Sequence, residues 1–245
     1  MKLTSSQSPS TEEEISLMEK IPYTSIVGSI MYLMVCTRPD LCYSVSRVSK
    51  FMGKPGPEHW NATKWILRYL RGTMDVGLIY GKGSEHTNVV GYVDSDYAGD
   101  LDTRKSQTGY AFQLNQCTIS WKSNLQSVVA LSTTEAEYIA CTEAVKEALW
   151  LKGITREMGI DQRSIQVMCD SQSALHLSKN QVFQERTKHI DIRLHFIRDI
   201  LASDRVKLIK VSTDDNAADM LTKSLSATKF DHCLKLLNID SKMCT

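Results

Sequence analysis

Four carboxylates stand where one kind of element gives way to another. Asp94 ends a short apolar run, Glu137 falls in the first turn of a long helical stretch, Asp170 ends a second apolar run, and Asp219 lies near the start of a helix after a third. Gathered at one edge of a sheet, these acids would repel one another unless a cation sat among them. Hard oxygen donors suit Mg²⁺ or Mn²⁺, which keep waters and bridge to phosphate oxygens. Two such ions roughly 3.5 to 4 Å apart would serve an in-line phosphoryl displacement, one activating the attacking water and the other stabilising the leaving oxygen. Taken alone, each acid has a plainer reading, as a solvated strand end or a helix N-terminal charge matched to the dipole.

The elements that must position these acids can be read from hydrophobic period. Val89 to Ser95, Thr108 to Leu114 and Thr118 to Lys122 read as strands, the last two joined by Asn115 and Gln116 in hairpin position. Glu135 to about Met158 is a long helix with Ser132 and Thr133 available as caps, and Tyr138, Cys141, Val145 and Ala148 at helical spacing. Ile165 to Cys169 is a strand, Ser173 to Ser178 and Gln184 to Ala202 are helices, and Val206 to Val211 is a last strand. Helices near Ala217 to Lys223 and Thr228 to Leu237 follow. The order is that of an α/β protein whose sheet begins antiparallel.

Upstream the pattern is helical from Tyr23 to Gly72. Ile26, Ile30, Leu33 and Met34 form one stripe, Pro39 suits the first turn of a second helix running to about Met52, and Pro57 opens a third helix carrying Trp60, Lys64, Leu67, Arg68 and Arg71. Between Arg38 and Met74 there are seven Lys or Arg against two acids, so this part is locally basic. Residues 1–14 offer almost nothing to bury and are expected to be a disordered leader; 15–80 form a small all-helical module and 88–240 the α/β domain, with a boundary loop of Gly81 to Asn88.

Composition narrows the classes. The 29 basic and 28 acidic residues give a net charge of +1, which rules out a strongly basic nucleic-acid coat, so any nucleic-acid site is local. No apolar run reaches the roughly 18 residues of a membrane span, and the N-terminus has no apolar signal core, so an intracellular protein (cytoplasmic or nuclear) without membrane contact is expected. The 7 cysteines form no C-x-x-C and are read as buried thiols.

The strings GYVDSDYAGD, DTRKSQTGYAF, ISWKS, VALSTTEAEYIA, CDSQSALHLSKN, RTKHIDIRLHFIRD and NAADMLTK, in this order and spacing, resemble the ribonuclease H domain of copia-type LTR-retrotransposon Pol polyproteins, the plant elements in particular. PYTSIVGSIMYLMVCTRPDL and HWNATKWILRYLRGT resemble the segment that links the reverse transcriptase palm to that domain, so residues 15–80 would be a thumb- or connection-like remnant. The resemblance implies a ribonuclease H-like five-stranded mixed sheet flanked by helices, and two Mg²⁺ (or Mn²⁺) ions. It also implies endonucleolytic cleavage of the RNA strand of an RNA–DNA hybrid. It maps the family's catalytic, metal-holding acids onto Asp94, Glu137, Asp170 and Asp219. A further partner would be the rest of a retrotransposon Pol, the starting methionine belonging to a truncated reading frame.

Ser171 and Gln172 could bond substrate 2′-hydroxyls, which mark RNA, or cap the following helix. Arg186, Lys188, His189, Arg193 and Arg198 form a candidate phosphate track, as do Lys64, Arg68 and Arg71 of the basic helix. Asp96, Asp100 and Glu135 beside the four acids are read as supporting or surface groups. His189 and His195 lack partner cysteines, so no zinc site is drawn from them. Tyr92-Val93-Asp94-Ser95 approaches the Y-x-D-D box of polymerases, but Ser95 replaces the second aspartate and only about 90 residues precede it, so no DNA synthesis is expected. Two other functions compete with a hybrid nuclease. A catalytically weak or inactive nucleic-acid-binding module of the same fold is the alternative. An integrase-like strand transferase would want a glutamate near position 205, where the sequence reads Ser203, Asp204, Arg205, Val206. The family's histidine before the fourth acid is also missing from VKLIKVSTDDNAAD, with Ser212 or Thr213 near its place.

Overall fold

The computed structural model describes residues 2–81, 88–179 and 191–241. The first part is helical: α1 (Glu12–Glu19), α2 (Tyr23–Cys36), α3 (Cys42–Ser49) and α4 (Pro57–Gly72), followed by the short strand β1 (Gly77–Leu78). Pro57 sits in the first turn of α4, where its missing N–H costs nothing. These helices close on their own core of Tyr23, Val27, Ile30, Leu41, Val45, Phe51 and Ile66. The fully buried residues of α2 are Tyr23, Val27 and Ile30; of the expected stripe Ile26 and Met34 pack against the same core, while Leu33 is exposed.

The second part is built on β2 (Val89–Ser95), β3 (Gln107–Leu114), β4 (Cys117–Leu125), α5 (Thr133–Glu157), β5 (Ile165–Cys169), α6 (Gln172–Lys179), α7 (Asp191–Ala202), β6 (Val206–Lys210), α8 (Ala227–Leu236) and β7 (Ile239–Asp240). Its sheet is five-stranded in the order β4-β3-β2-β5-β6. The first three strands pair antiparallel, while β5 joins β2, and β6 joins β5, in parallel. Asn115 and Gln116 turn the β3–β4 hairpin with φ of 56° and 64°, the backbone a tight two-residue turn demands. Ser132 caps α5 by accepting from Glu135 N at 3.1 Å.

Both faces of the sheet are covered. On one, Val93, Phe112, Val167 and Val206 pack against Tyr138, Val145 and Ile197 of α5 and α7. On the other, Ala111 meets Met220, Leu221, Cys233 and Leu237, and the same cluster takes in Cys42, Val76 and Leu78 from the helical part. The two parts are therefore joined by shared core, by the antiparallel β1–β7 pair, and by Trp121 Nε1 donating to Met34 O at 2.9 Å. Residues 82–87 of the expected boundary loop lie outside the described residues.

The expectation of a disordered leader is corrected. Leu3 is buried in the helical core, Ser5 N donates to Asp102 Oδ1 at 3.0 Å, and His59 Nε2 bonds Thr4 O at 3.1 Å. Gly56 allows this, since a Cβ there would fall 1.8 Å from Gln7 O. One apolar residue and backbone groups do the anchoring, which a count of buriable side chains overlooks.

Candidate active site

Asp94 lies one residue from the end of β2, opposite Gly109 of β3. A Cβ at Gly109 would come within 2.7 Å of both Leu221 and Thr222, so glycine lets the Ala217–Leu221 3₁₀ segment lie directly on the sheet. Asn216 fixes that segment: its Nδ2 donates to Val93 O at 3.0 Å and its Oδ1 accepts from Ala218 N at 3.2 Å. Together they deliver Asp219, Thr222 and Lys223 to Asp94. Gln126 secures the other side, its Nε2 donating to Ser95 Oγ (3.2 Å), Thr108 Oγ1 (3.1 Å) and Ala136 O (2.9 Å), which holds the first turn of α5, and so Glu137, against the strand ends. Asp170 follows β5 directly.

Asp94, Asp170 and Asp219 each offer an oxygen within 4.8 Å of the others, and Glu137, Cys169 and Asp170 form a second such group. Asp170 is common to both, so the four acids picked out by sequence converge on one place. Asp94 and Asp219 are buried, and Glu137 Oε2 is buried without a hydrogen-bond partner among the described residues. Burial pushes the Asp94 carboxyl up to about 6, with Lys223 pulling it down and Asp219 pushing it further up. Burial, then the charge of Asp94, pushes Glu137 up to about 10. Four carboxylates with an orphaned oxygen and mutual repulsion are a hard donor set that fits a divalent cation, with the Cys169 thiol beside them.

Sequence reasoning missed the cations already there. Lys223 Nζ lies 3.0 Å from Asp219 Oδ1 and 3.4 Å from Asp94 Oδ2, and Lys229 Nζ lies 3.7 Å from Asp219 Oδ2. Thr222 Oγ1 donates to Asp94 Oδ2. The four-residue interval between Asp219 and Lys223 was the available signal. Lys229 comes from α8 and had none.

The neighbouring acids have their own partners. Asp96 accepts from Gln107 N, Glu135 accepts from Leu131 N at 2.9 Å, and Asp100 pairs with Lys50 and, at 3.6 Å, with Arg47, tying α3 to the loop after β2. Ser171 Oγ caps α6 by accepting from Ala174 N at 3.2 Å, and Gln172 is exposed beside His176. Arg198 Nη2 donates to Leu177 O at 3.4 Å, linking α7 to α6. Lys64 and Arg68 lie over the rings of Trp60 and Trp65, at 5.9 and 4.6 Å, and Arg71 is exposed on the same helix. Arg186, Lys188 and His189 lie outside the described residues, as does the side chain of Arg193. A groove of about 640 Å³ runs between α3, α4 and α8, lined by Arg47, Trp65, Tyr69, Lys223 and Phe230 among others.

The chain is 53% identical over 241 residues to the retrovirus-related Pol polyprotein from transposon TNT 1-94 of Nicotiana tabacum, a match covering 98% of this chain and 18% of that protein. It is 41% identical over 224 residues to the Pol polyprotein from transposon RE2 of Arabidopsis thaliana, covering 91% of this chain and 15% of the relative. Over nearly its whole length the chain is thus similar to one part of the Pol polyproteins of plant copia-type retrotransposons. It spans less than a fifth of the length of these relatives. A foamy viral protease-reverse transcriptase, solved in complex with dsDNA, shares the fold with a TM-score of 0.54 at 13% identity, over 84% of this chain and 42% of that one. No protein-family model matches the chain. The five-stranded mixed sheet flanked by helices is the architecture that the sequence strings implied. Among the described residues no helix is long and apolar enough to cross a membrane.

Proposed function

We propose that this Pol segment is a metal-dependent ribonuclease H that cleaves the RNA strand of RNA–DNA hybrids. The observation that carries the reading is the convergence of Asp94, Glu137, Asp170 and Asp219, drawn from four separate elements, on a site with an orphaned carboxylate oxygen. Asp94, Asp170 and Asp219 on one side, and Glu137 with Asp170 on the other, are the residues that would hold two Mg²⁺ or Mn²⁺ ions. Bound there, such ions would supply a nucleophilic water at neutral pH and stabilise the leaving oxygen.

The chain's own groups prepare that chemistry. Burial and the Asp94 charge favour the neutral form of Glu137, and a cation held there would favour the ionised one. Asp94, held by Thr222, would help Asp170 and Asp219 to hold an ion. The exposed Gln172, in the first turn of α6 and bonded to His176, is the proposed partner of a 2′-hydroxyl, while the Ser171 hydroxyl is engaged as a cap. Lys64, Arg68 and Arg71 give α4 a phosphate-binding face. Ser212, near the place of the missing histidine, is not a proton carrier: its Oγ donates to Asp215 Oδ2 at 2.7 Å and accepts from Asp215 N. The remainder of a Pol polyprotein is the proposed protein partner.

A hybrid labelled separately on each strand tests the reading. With Mg²⁺ the RNA strand is cut and the DNA strand is left whole. Cutting of both strands alike, or cutting that persists in excess EDTA, would refute it.

A further inference from the structure

Lys223 stands at the junction of the carboxylates and the groove. Its ammonium lies between Asp219 Oδ1 and Asp94 Oδ2, at 3.0 and 3.4 Å, and these are two of the three acids whose oxygens could share one ion. The acids are buried, whereas the lysine side chain is 39% exposed, so a buried pair of negative charges is met by a cation whose stem reaches water. Burial works against the lysine's charge, yet Asp94 and Asp219 hold its proton affinity above the usual value. Lys229 differs, because the carbonyl oxygens of Thr213, at 2.7 Å, and Asp214 hold its ammonium. Among the described residues the Lys223 ammonium has no ion-pair or hydrogen-bond partner besides the two aspartates.

A divalent ion taking oxygens from Asp94 and Asp219 would put its charge where that ammonium now sits. Two cations cannot share those oxygens without strong repulsion at such short range. Lys223 also forms part of the wall of the groove, with Arg47 and the exposed ring of Trp65 nearby.

We propose that Lys223 is a tethered counter-cation that occupies the metal position between Asp94 and Asp219 in the metal-free protein and, once displaced by the ion, turns to the groove to meet a phosphate of the bound nucleic acid. The inference rests on the metal-dependent reading of the site. Two consequences follow from thermodynamic linkage. The lysine weakens metal binding in the absence of nucleic acid. Nucleic acid, by giving the displaced ammonium a partner, strengthens it.

Two measurements test this without cleavage. In calorimetric titrations with Mg²⁺ alone, Lys223→Met should bind roughly tenfold more tightly than the parent, most of the repulsion being lost to solvent at a half-exposed side chain. Equal or weaker binding by the folded variant would overturn the proposal. Should the variant not fold, acetylation of the parent by an amine-reactive reagent, read by mass spectrometry, still decides. The reactivity of Lys223 should rise on adding Mg²⁺ and fall again when a short RNA–DNA hybrid carrying a cleavage-resistant 2′-O-methyl RNA strand follows. No rise with Mg²⁺ would overturn the counter-cation role, and a rise that the hybrid does not reverse would overturn the phosphate contact. A chain that shows the expected reactivity pattern but cuts no hybrid would instead refute the proposed nuclease function.

Discussion

Asp94 and Glu137 are both pushed up by burial, to about 6 and about 10, so each is harder to ionise in the fold than in the unfolded chain. A raised folded-state pKa stabilises below the unfolded value near 4 and loses that stability as pH rises through the folded value. Metal-free protein should therefore lose melting temperature from about pH 5 to pH 8, and Mg²⁺ should raise Tm more at pH 8 than at pH 5.5. Thermal melts with and without Mg²⁺ check this, and an equal increment at both pH values would contradict it. Ser212→Ala removes a cap rather than a catalyst, so it should cost about 1 kcal/mol of stability. Cleavage should stay within about tenfold of the parent, since general acid–base groups usually contribute a hundredfold or more. At this scale the four acids were legible because each stands at an element end. Lys223 and Thr222 were not, because their meaning depends on a turn that folds back onto another strand.

That turn is an element-scale device. Gly109→Ala should push the Ala217–Leu221 segment off the sheet, at about the 1 to 3 kcal/mol of an overpacked contact, and should weaken Mg²⁺ binding with it, because Asp219 moves while Asp94 stays. Asn216→Ala strands a buried carbonyl of Val93 and should cost a similar amount. Denaturant melts paired with Mg²⁺ titration check both; loss of stability with unchanged Mg²⁺ affinity would show that the turn does not set the site. The strands were legible where apolar runs are bounded by turn residues, and Val89–Ser95 and Ile165–Cys169 read from the sequence with the bounds they have in the fold. The two-residue strands β1 and β7 were not, since they carry no period and exist only through the pairing of distant residues, Gly77 with Asp240 and Leu78 with Ile239.

For the molecule as a whole, the helical part is more than an appendage. Cys42, Val76 and Leu78 complete the core over one face of the sheet, and Asp100 and Asp102 receive Lys50 and Ser5 from the other side of the seam. A chain shortened to residues 88–245 should therefore melt lower and bind hydrophobic dye. It should also bind hybrid more weakly with a flatter salt slope, having lost the cations of α4 and their counterion release. An unchanged slope would assign the helical part to packing alone. The seam was hidden in the sequence because it is made of single residues from distant segments, whereas the locally basic stretch was plain in composition. Whether the gathered carboxylates are a hydrolytic metal centre is decided by RNA-strand cleavage of a labelled hybrid by Asp94→Asn beside the parent, both with Mg²⁺ and both shown to be folded. A metal centre requires cleavage by the parent that stops in EDTA and none above background by Asp94→Asn. Equal cleavage by the two would contradict it.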